Sequence, residues 1–397
     1  MRTQSLIQEA EKYLMATYKR FPIAPEKGEG CVITDVDGKK YLDFVAGIAV
    51  CNLGHRPPEL VEAIQHQAGR LIHTSNLYHI EPQIQLARLL VENSFGDKVF
   101  FCNSGAEANE AAIKLARKYA KDQGREDAYR IVCMNESFHG RTLATVSATG
   151  QKKFHKGFAP LVTGFDHVPF NNLEAAAGAV TDQTCAVLVE PIQGEGGVNM
   201  PSPDYLKGLR EMCDQRNILL IFDEVQVGIG RTGLLFAYEH FDVKPHIMTL
   251  AKSLAGGFPI GAMIAVDEVA ESFSPGTHAS TFGGNFLATA AGIVVMKRML
   301  QGELLAHAQD VGVHFREGLN RLKDRHNVIK EVRGLGLILA IELTIPGGGL
   351  VSKAMEKGFL INCTADKILR FVPPLVVQKE QVNALLETLD ELLAEAE

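Results

Sequence analysis

The 397-residue sequence has no tryptophan, no long apolar run and no pair of cysteines at metal-binding spacing. A transmembrane helix needs about 20 consecutive apolar residues, and no uninterrupted apolar stretch approaches that length. The seven cysteines are scattered and odd in number, which predicts reduced core residues rather than a disulfide framework or a metal site. We therefore expect no membrane span, no bound metal and no disulfide.

The sequence also lacks an excess of positive charge. Its formal net charge is −7 and its isoelectric point is near 6.0, which argues against a nucleic-acid partner or an anionic membrane surface. Residues 1–18 are polar and helix-like, whereas a secretory signal has a basic start and an apolar core. We therefore expect a cytoplasmic protein that acts on small molecules.

The chain does contain a series of short apolar runs separated by amphipathic helical patterns. Runs that are apolar on both faces are typical of a mainly parallel sheet with helices on both faces, and the alternation with helices indicates the α/β class. The runs lie at residues 99–102, 131–134, 186–190, 218–223, 247–250 and 261–266, and helices are predicted at 108–121 and 204–215.

The pattern changes near residue 300. A helical stretch, a strand-like run at 332–343 broken by two glycines, and a closing helix from Lys379 predict a smaller α+β domain. We predict a large domain at residues 51–300, a small domain at 301–397, and an N-terminal segment at 1–50 that packs with the small domain.

Lys252 follows the apolar run at 247–250 and precedes Gly256 and Gly257. The Lys252 amine, a group that is normally solvated, is therefore expected at the end of a strand, in a loop that contains glycines. A desolvated lysine can lose its proton and condense with a carbonyl to form a Schiff base. For a lone lysine, an amine that extends to solvent is the better interpretation, so Lys252 is a candidate only if neighbouring loops supply the rest of a site.

Two loops after other predicted strands supply such groups. Ser104, Gly105 and Ala106 lie between a strand and a long helix, where unpaired amides and the helix dipole favour a phosphate. A serine there is equally an ordinary helix cap. Asp223 ends a strongly apolar strand, so a buried carboxylate there needs a partner such as a pyridinium nitrogen. A solvated strand end explains Asp223 alone equally well.

Other segments bring an aromatic ring and two arginines. Phe138 offers a ring for stacking and Arg141 a planar fork for a carboxylate, although core packing and a surface ion pair are the simpler explanations. Glu195 follows a further strand, and Arg370 opens a distant apolar run where it needs an acidic partner. Ligands of open α/β sheets bind beyond the carboxyl ends of the strands. Because most of these loops follow such strand ends, we expect them to form one site.

Residues 228–233 match the Gly-x-Gly-x-x-Gly pattern of dinucleotide-binding proteins. In that fold the glycines come directly off the strand, and an acidic residue follows about 20 positions later. Here residues 223–227 intervene and Ser253 occupies the later position. A dinucleotide-binding oxidoreductase that uses Gly228 to Gly233 is kept as the alternative.

Taken together, these segments resemble the class III, ornithine-type pyridoxal-phosphate aminotransferases. The resemblance covers nearly the whole chain in order and spacing, and its motifs are residues 103–109, 138–142, 190–197, 223–226, 252 and 281–285. It implies a fold type I transferase with pyridoxal 5'-phosphate as its cofactor and a homodimer with active sites at the subunit interface.

The resemblance also implies the roles of the cofactor-binding residues. Lys252 would be the Schiff-base lysine, and Asp223 would pair with the pyridine nitrogen. Ala106 stands where relatives often carry Ser or Thr, so only its backbone could serve the phosphate. The other expected contacts are Ser104 and Gly105 at the phosphate, Phe138 and Val225 on the two ring faces, His139, Gln226 at the phenolic oxygen, and Thr281 from the partner subunit.

For substrates, the resemblance implies two carboxylate sites. Arg141 would hold the carboxylate distant from the reacting carbon of glutamate. Arg370, covered by Glu195 when idle, would receive the α-carboxylate of glutamate or 2-oxoglutarate, and Ser280 would reach across from the partner subunit. Ile48 stands where ornithine δ-aminotransferases place a tyrosine that receives a free α-amino group, and an isoleucine cannot accept that hydrogen bond.

The expected reaction is a ping-pong transamination through the Lys252 Schiff base. The δ-amino group of N2-acetyl-L-ornithine would pass to 2-oxoglutarate, giving N-acetyl-L-glutamate 5-semialdehyde and L-glutamate, a step of arginine biosynthesis. Within the class, succinylornithine, 4-aminobutyrate, N-succinyl-diaminopimelate and ornithine stay open as alternative amine donors.

Overall fold

The computed structural model describes residues 2–396, so Met1 and Glu397, the two ends of the predicted units, lie outside the described residues. The helices are α1 (Arg2–Tyr13), the single turn α2 (Ala46–Ala49), α3 (Pro58–Ala68), α4 (Glu81–Glu92), α5 (Gly105–Asp122), α6 (Leu143–Ala148), α7 (Leu173–Ala179), α8 (Tyr205–Arg216), α9 (Asp267–Ala270), α10 (Phe286–Leu300), α11 (Glu303–Arg325), α12 (Gly348–Glu356) and α13 (Lys379–Ala394). Short 3-10 turns lie at Lys152–Phe154, Ala237–His240 and Lys252–Ala255.

The strands are β1 (Pro25–Glu29), β2 (Val32–Asp35), β3 (Lys40–Asp43), β4 (Lys98–Cys102), β5 (Arg130–Met134), β6 (Phe165–Val168), β7 (Thr184–Val189), β8 (Leu219–Asp223), β9 (Ile247–Leu250), β10 (Gly261–Ala265), β11 (Ile329–Leu335), β12 (Ile338–Leu343), β13 (Phe359–Leu360), β14 (Asn362–Thr364) and β15 (Ile368–Phe371).

The central sheet has the strand order β4-β10-β9-β8-β7-β5-β6. Neighbours from β9 to β6 are parallel, whereas β10 runs antiparallel to both β4 and β9. Only residues 251–260 separate β9 from β10, and a parallel pair needs a crossover of about a dozen residues or more. The predicted α/β class with a mainly parallel sheet is confirmed. The edge strand β6 was missed because its sequence, Phe-Asp-His-Val, is half polar.

Helices cover both faces of this sheet, as predicted. Alternate side chains of β8 enter two separate cores, with Leu220 and Phe222 in one and Leu219 and Ile221 in the other. The second core also holds side chains of α5, so that helix lies on the opposite face from the first core. A strand buried on both faces needs an uninterrupted apolar sequence, which explains why β8 was easy to recognise.

Two smaller sheets, β1-β2-β3-β13 and β11-β12-β15-β14, hold the chain ends. The turn between β2 and β3 is fixed by Asp35, whose Oδ1 accepts hydrogen bonds from the backbone amides of Asp37 at 3.0 Å and Lys39 at 2.9 Å. Strand β13 runs parallel to β3, with Phe359 beside Leu42. The N-terminal segment therefore pairs with the C-terminal part of the chain, while the domain boundaries themselves stay a prediction.

The helices and the cysteines were compared with the expectations of no membrane span and no disulfide. Across residues 2–396, no helix combines the length and apolar character needed to cross a bilayer. The seven cysteines are free, and all are buried except Cys51 and Cys363, which are half-buried.

Candidate active site

Asp223 lies at the carboxyl end of β8, and the residue is 3% exposed. Its Oδ2 accepts hydrogen bonds from His139 Nδ1 and from Asn109 Nδ2, both at 2.7 Å. Its Oδ1 accepts from the backbone amide of Val225 at 3.0 Å. Three hydrogen-bond donors thus converge on one buried carboxyl group at the sheet edge.

Sequence reasoning missed Asn109, which ties this network together. Besides binding Asp223, its Nδ2 donates to the His139 carbonyl at 2.8 Å, and its Oδ1 accepts from Thr249 Oγ1 at 2.7 Å. The available signal was the position of Asn109 three residues before Ala112, on the buried apolar face of α5. A polar side chain on such a face needs buried partners.

Lys252 follows β9 and begins the short turn Lys252–Ala255. Its φ is 43°, a left-handed conformation that costs a non-glycine residue about 1–3 kcal/mol. Burial lowers the pKa of the Lys252 amine, although the Glu195 carboxylate opposes the shift. Strain and a buried amine occur together here, which is common at functional sites.

A cavity of about 390 Å³ lies at this edge of the sheet. It brings together residues from separate loops that follow β4, β5, β8 and β9. The predicted site residues that line it are Ser104, Gly105, Ala106, Phe138, His139, Arg141, Asp223, Val225, Gln226 and Lys252.

The start of α5 forms one wall of this cavity. Ser104 does cap the helix, since its side chain accepts from the Glu107 amide at 3.2 Å. A Cβ on Gly105 would lie 2.7 Å from Val225 Cγ1, and one on Gly140 would lie 2.7 Å from the Ala106 Cβ. The backbone is therefore packed too closely for side chains, and the first amides of α5, which have no partner within the helix, suit an anion.

Phe138 and Arg141 lie on the other side of the cavity. The Phe138 ring packs edge-on against Phe154, with centroids 5.5 Å apart and an interplanar angle of 81°. The Arg141 guanidinium is exposed and lies 4.0 Å from the Phe154 centroid and 5.4 Å from that of Phe138. It thus stacks on aromatic rings at the cavity rim, where a carboxylate could reach it.

Arg370 on β15 is fully buried and pairs with Glu195, whose Oε1 lies 2.8 Å from Arg370 Nη1. Gln226 joins both, because its Oε1 accepts from Arg370 at 2.9 Å and its Nε2 donates to Glu195 at 3.3 Å. Burial raises the pKa of Glu195, but the charges of Arg370 and Lys252 outweigh it and lower the pKa overall. Through Gln226 this ion pair adjoins the Lys252 cavity.

Five predicted residues do not line that cavity: Glu195 and Arg370, which form the neighbouring ion pair, and Ser280, Thr281 and Ile48. Ser280 and Thr281 line a separate cavity beside Glu107, and Thr281 is exposed. Ile48 is 44% exposed and lines an apolar cavity of about 330 Å³ together with Asn362. A single chain therefore does not bring the whole predicted set together.

Glu190 lines the Lys252 cavity, although sequence reasoning gave it no role. Its oxygens accept from the backbone amides of Phe138 at 3.0 Å and Gly194 at 3.2 Å. Burial raises the pKa of Glu190 to about 7, with the Asp223 charge adding to the rise. It fixes the loop that carries Phe138.

The Gly-x-Gly-x-x-Gly segment has a different structural context from a dinucleotide site. Arg231 within it is fully buried and donates to the carbonyls of Leu337 at 2.9 Å and Pro373 at 2.6 Å, and also to the Asn52 side chain. Burial lowers the pKa of Arg231 to about 9. The next regular element is the short turn Ala237–His240. The glycines therefore do not lead directly into a helix whose first amides could bind a phosphate. The segment instead packs inside the protein, where Arg231 binds three separate parts of the chain. The dinucleotide alternative was therefore wrong.

A half-buried, strained lysine and a buried aspartate that share one cavity at the carboxyl edge of an α/β sheet fit the site expected of a pyridoxal-phosphate enzyme. The chain belongs to the class-III aminotransferases, whose family pattern matches residues 13–393. Enzymes of this family use pyridoxal phosphate, so the predicted cofactor is confirmed.

Particular relatives are similar over their full length. The acetylornithine aminotransferase of Caldanaerobacter subterraneus subsp. tengcongensis is 54% identical over 391 residues, which cover 98% of this chain and 99% of the relative. A crystal structure of N-acetylornithine aminotransferase from Stenotrophomonas maltophilia K279a is 39% identical with a TM-score of 0.84, covering 98% of each chain. The ornithine aminotransferase from Toxoplasma gondii, with pyridoxal phosphate partly occupying its active site, is 35% identical with a TM-score of 0.95, covering 99% of this chain and 94% of that one.

Proposed function

We propose that this enzyme is an acetylornithine aminotransferase of arginine biosynthesis. It transfers the δ-amino group of N2-acetyl-L-ornithine to 2-oxoglutarate, giving N-acetyl-L-glutamate 5-semialdehyde and L-glutamate. The substrate is supported by relatives of that name, one of them 54% identical over 98% of the chain. The observation that carries the chemistry is the presence of Lys252 and the hydrogen-bonded Asp223 in one cavity of about 390 Å³.

The cavity residues fit the cofactor. When bound, pyridoxal phosphate supplies an aldehyde carbon that takes up the amino group and a ring that withdraws electrons. Asp223, held by His139 and Asn109, would keep a proton on the ring nitrogen. The closely packed start of α5 at Gly105 would hold the phosphate.

Lys252 would perform the proton transfers. Burial lowers the pKa of its amine, so a larger fraction is neutral at a given pH, and only a neutral amine acts as a nucleophile or base. Its place at the end of β9 puts the amine in the same cavity as Asp223. We propose that Lys252 moves a proton away from the reacting substrate carbon.

Arg141 and Arg370 would let one site bind two different acids. While Glu195 pairs with Arg370 at 2.8 Å, only the exposed Arg141 is free for the single carboxylate of N-acetylornithine. 2-Oxoglutarate has two carboxylates, and the second would displace Glu195 from Arg370. A bidentate arginine contact with a carboxylate is strong enough to drive such an exchange.

We further propose a homodimer. The chain exposes large apolar side chains at Leu77 (82%), Tyr78 (69%) and Phe282 (59%). Asn76 donates to the Gly283 carbonyl at 2.9 Å, so these residues belong to one exposed surface. Such patches mark interfaces, and burial of this one would direct Thr281 and Ser280 into the partner's site.

A reducing compartment fits the seven free cysteines, because disulfides form in oxidising environments. We therefore propose that the enzyme works in the cytoplasm.

The substrate proposal is tested with a panel of amines, each assayed with 2-oxoglutarate. We expect the highest kcat/KM for N-acetylornithine among succinylornithine, 4-aminobutyrate, N-succinyl-diaminopimelate and ornithine. Ile48→Tyr adds a hydrogen-bond acceptor for a free α-amino group, so it should raise kcat/KM for ornithine about tenfold, as expected for a bond worth about 1.4 kcal/mol. A wild-type enzyme that prefers another amine would overturn the proposal.

A further inference from the structure

The turn α2 is left-handed. The φ angles of Ala46, Gly47, Ile48 and Ala49 are 51°, 66°, 67° and 60°. Only glycine adopts such angles without strain, and a β-branched residue such as isoleucine is an outlier there. The residues of the turn do not favour this conformation by themselves, so contacts from outside the turn must hold it.

Asp43, the last residue of β3, supplies the first of these contacts. The residue is 2% exposed, and its Oδ1 accepts from the backbone amides of Val45 at 2.8 Å and Ala46 at 3.0 Å. The Val45 carbonyl in turn accepts from Ile48 at 2.9 Å and from Ala49 at 3.0 Å. One carboxylate oxygen thus fixes the start of the left-handed turn.

His55 holds the other oxygen of that carboxylate. Its Nε2 lies 2.8 Å from Asp43 Oδ2, and its side chain is 17% exposed. Its backbone pairs with Gly30 through hydrogen bonds of 2.7 and 3.2 Å. A Cβ on Gly28 would lie 2.6 Å from the His55 Cβ, so His55 packs directly on β1. It therefore anchors Asp43 to the N-terminal sheet.

The far end of the turn reaches the active site. Val50, the next residue, lines the Lys252 cavity, and Ile48 lines the adjoining apolar cavity with Asn362. The Asn362 amide is oriented so that its nitrogen donates to the Arg370 carbonyl and its oxygen accepts from Arg370 Nη2 at 2.8 Å. The turn and the residue that follows it thus contribute to the lining of both cavities.

We propose that Asp43 and His55 form a positioning pair for substrate binding, whose contact holds the turn that places Ile48 and Val50 against the amine donor. The inference rests on the aminotransferase function proposed above. His55 lines neither cavity, and Asp43 lines only the apolar one, where its two oxygens are bound by the turn amides and by His55. The pair therefore acts through the turn. Its loss should raise KM for the amine much more than it lowers kcat.

The pair also gives KM a dependence on pH. His55 faces the Asp43 carboxylate and the Cys51 thiol, while its neighbour Arg56 pairs with Glu29 at 3.8 Å on the surface. The hydrogen bond to Asp43, followed by that to Cys51, raises the pKa of His55 to about 9. The stabilisation is complete below the unfolded pKa near 6.5 and is lost as pH rises through about 9.

The test compares steady-state kinetics of the holoenzyme with two variants and a control. His55→Ala should raise KM for N-acetylornithine about tenfold, equivalent to about 1.4 kcal/mol, with kcat changed less than about threefold. His66→Ala, on the exposed part of α3, should leave both constants unchanged. Asp43→Asn keeps an oxygen for the turn amides but removes the charge that pairs with His55, so its KM should already be raised at pH 8, towards the value that the wild type reaches above pH 9.

The pH profile decides the matter even if His55→Ala fails to fold. Wild-type KM should rise above pH 9 and that of Asp43→Asn should not, and because both enzymes share Lys252 and the substrate, the difference isolates the pair. Identical profiles would overturn the inference. Failure of the proposed substrate looks different, because the wild type would then prefer another amine, whose KM would still report on the turn.

Discussion

Replacing Asp223 by Asn tests the central electrostatic feature of the site. Asparagine keeps the size of the side chain and an oxygen for the Val225 amide at 3.0 Å. It removes the negative charge that His139 and Asn109 hold at 2.7 Å. Loss of one partner from a buried charged pair costs about 3–5 kcal/mol, and about 1.36 kcal/mol is worth tenfold in rate. If the charge acts in the transition state, kcat falls about 10²- to 10⁴-fold.

The assay is kcat with N-acetylornithine and 2-oxoglutarate, together with the cofactor content from visible absorbance. Asp166→Asn is the matched control, because it makes the same chemical change on β6, where Asp166 binds Arg130 Nε at 2.8 Å and does not line the Lys252 cavity. A kcat for Asp223→Asn within about tenfold of wild type, at equal cofactor content, would refute the reasoning.

Two other substitutions test the cofactor contacts. Lys252→Ala should abolish turnover while the melting temperature stays close to that of wild type, and a variant with ordinary rates contradicts the assignment of Lys252. Gly105→Ala places a Cβ 2.7 Å from Val225 Cγ1, so we expect about tenfold weaker binding of pyridoxal phosphate in equilibrium dialysis. Gly178→Ala, whose Cβ has no atom within 4 Å, is the control, and equal affinities for the two variants would count against the phosphate site.

The sequence was sufficient to predict the parts of the site that follow buried strands. Strand β8 is apolar on both faces and β9 is apolar except for Thr249, so their ends, and with them Asp223 and the loop of Lys252, could be located from the apolar runs in the sequence. The start of α5 could be located too, because small residues between a strand and a helix are a local pattern.

Other parts depend on contacts that no local pattern encodes. The left-handed turn at 46–49 contains one glycine, and its conformation comes from Asp43 and His55 rather than from its own residues. Asn109 looks like an ordinary helix residue until the sheet brings Asp223 and Thr249 against it. Contacts of this kind arise only when the chain is folded.

The contacts of Arg231 bear on how the protein unfolds. Its guanidinium donates to Asn52 near the N-terminal segment, to Leu337 between β11 and β12, and to Pro373 beyond β15. An arginine buried without a carboxylate depends on all of these acceptors, because each one lost leaves a charged donor unsatisfied. The three segments are therefore expected to melt in a single cooperative step rather than to fray one after another.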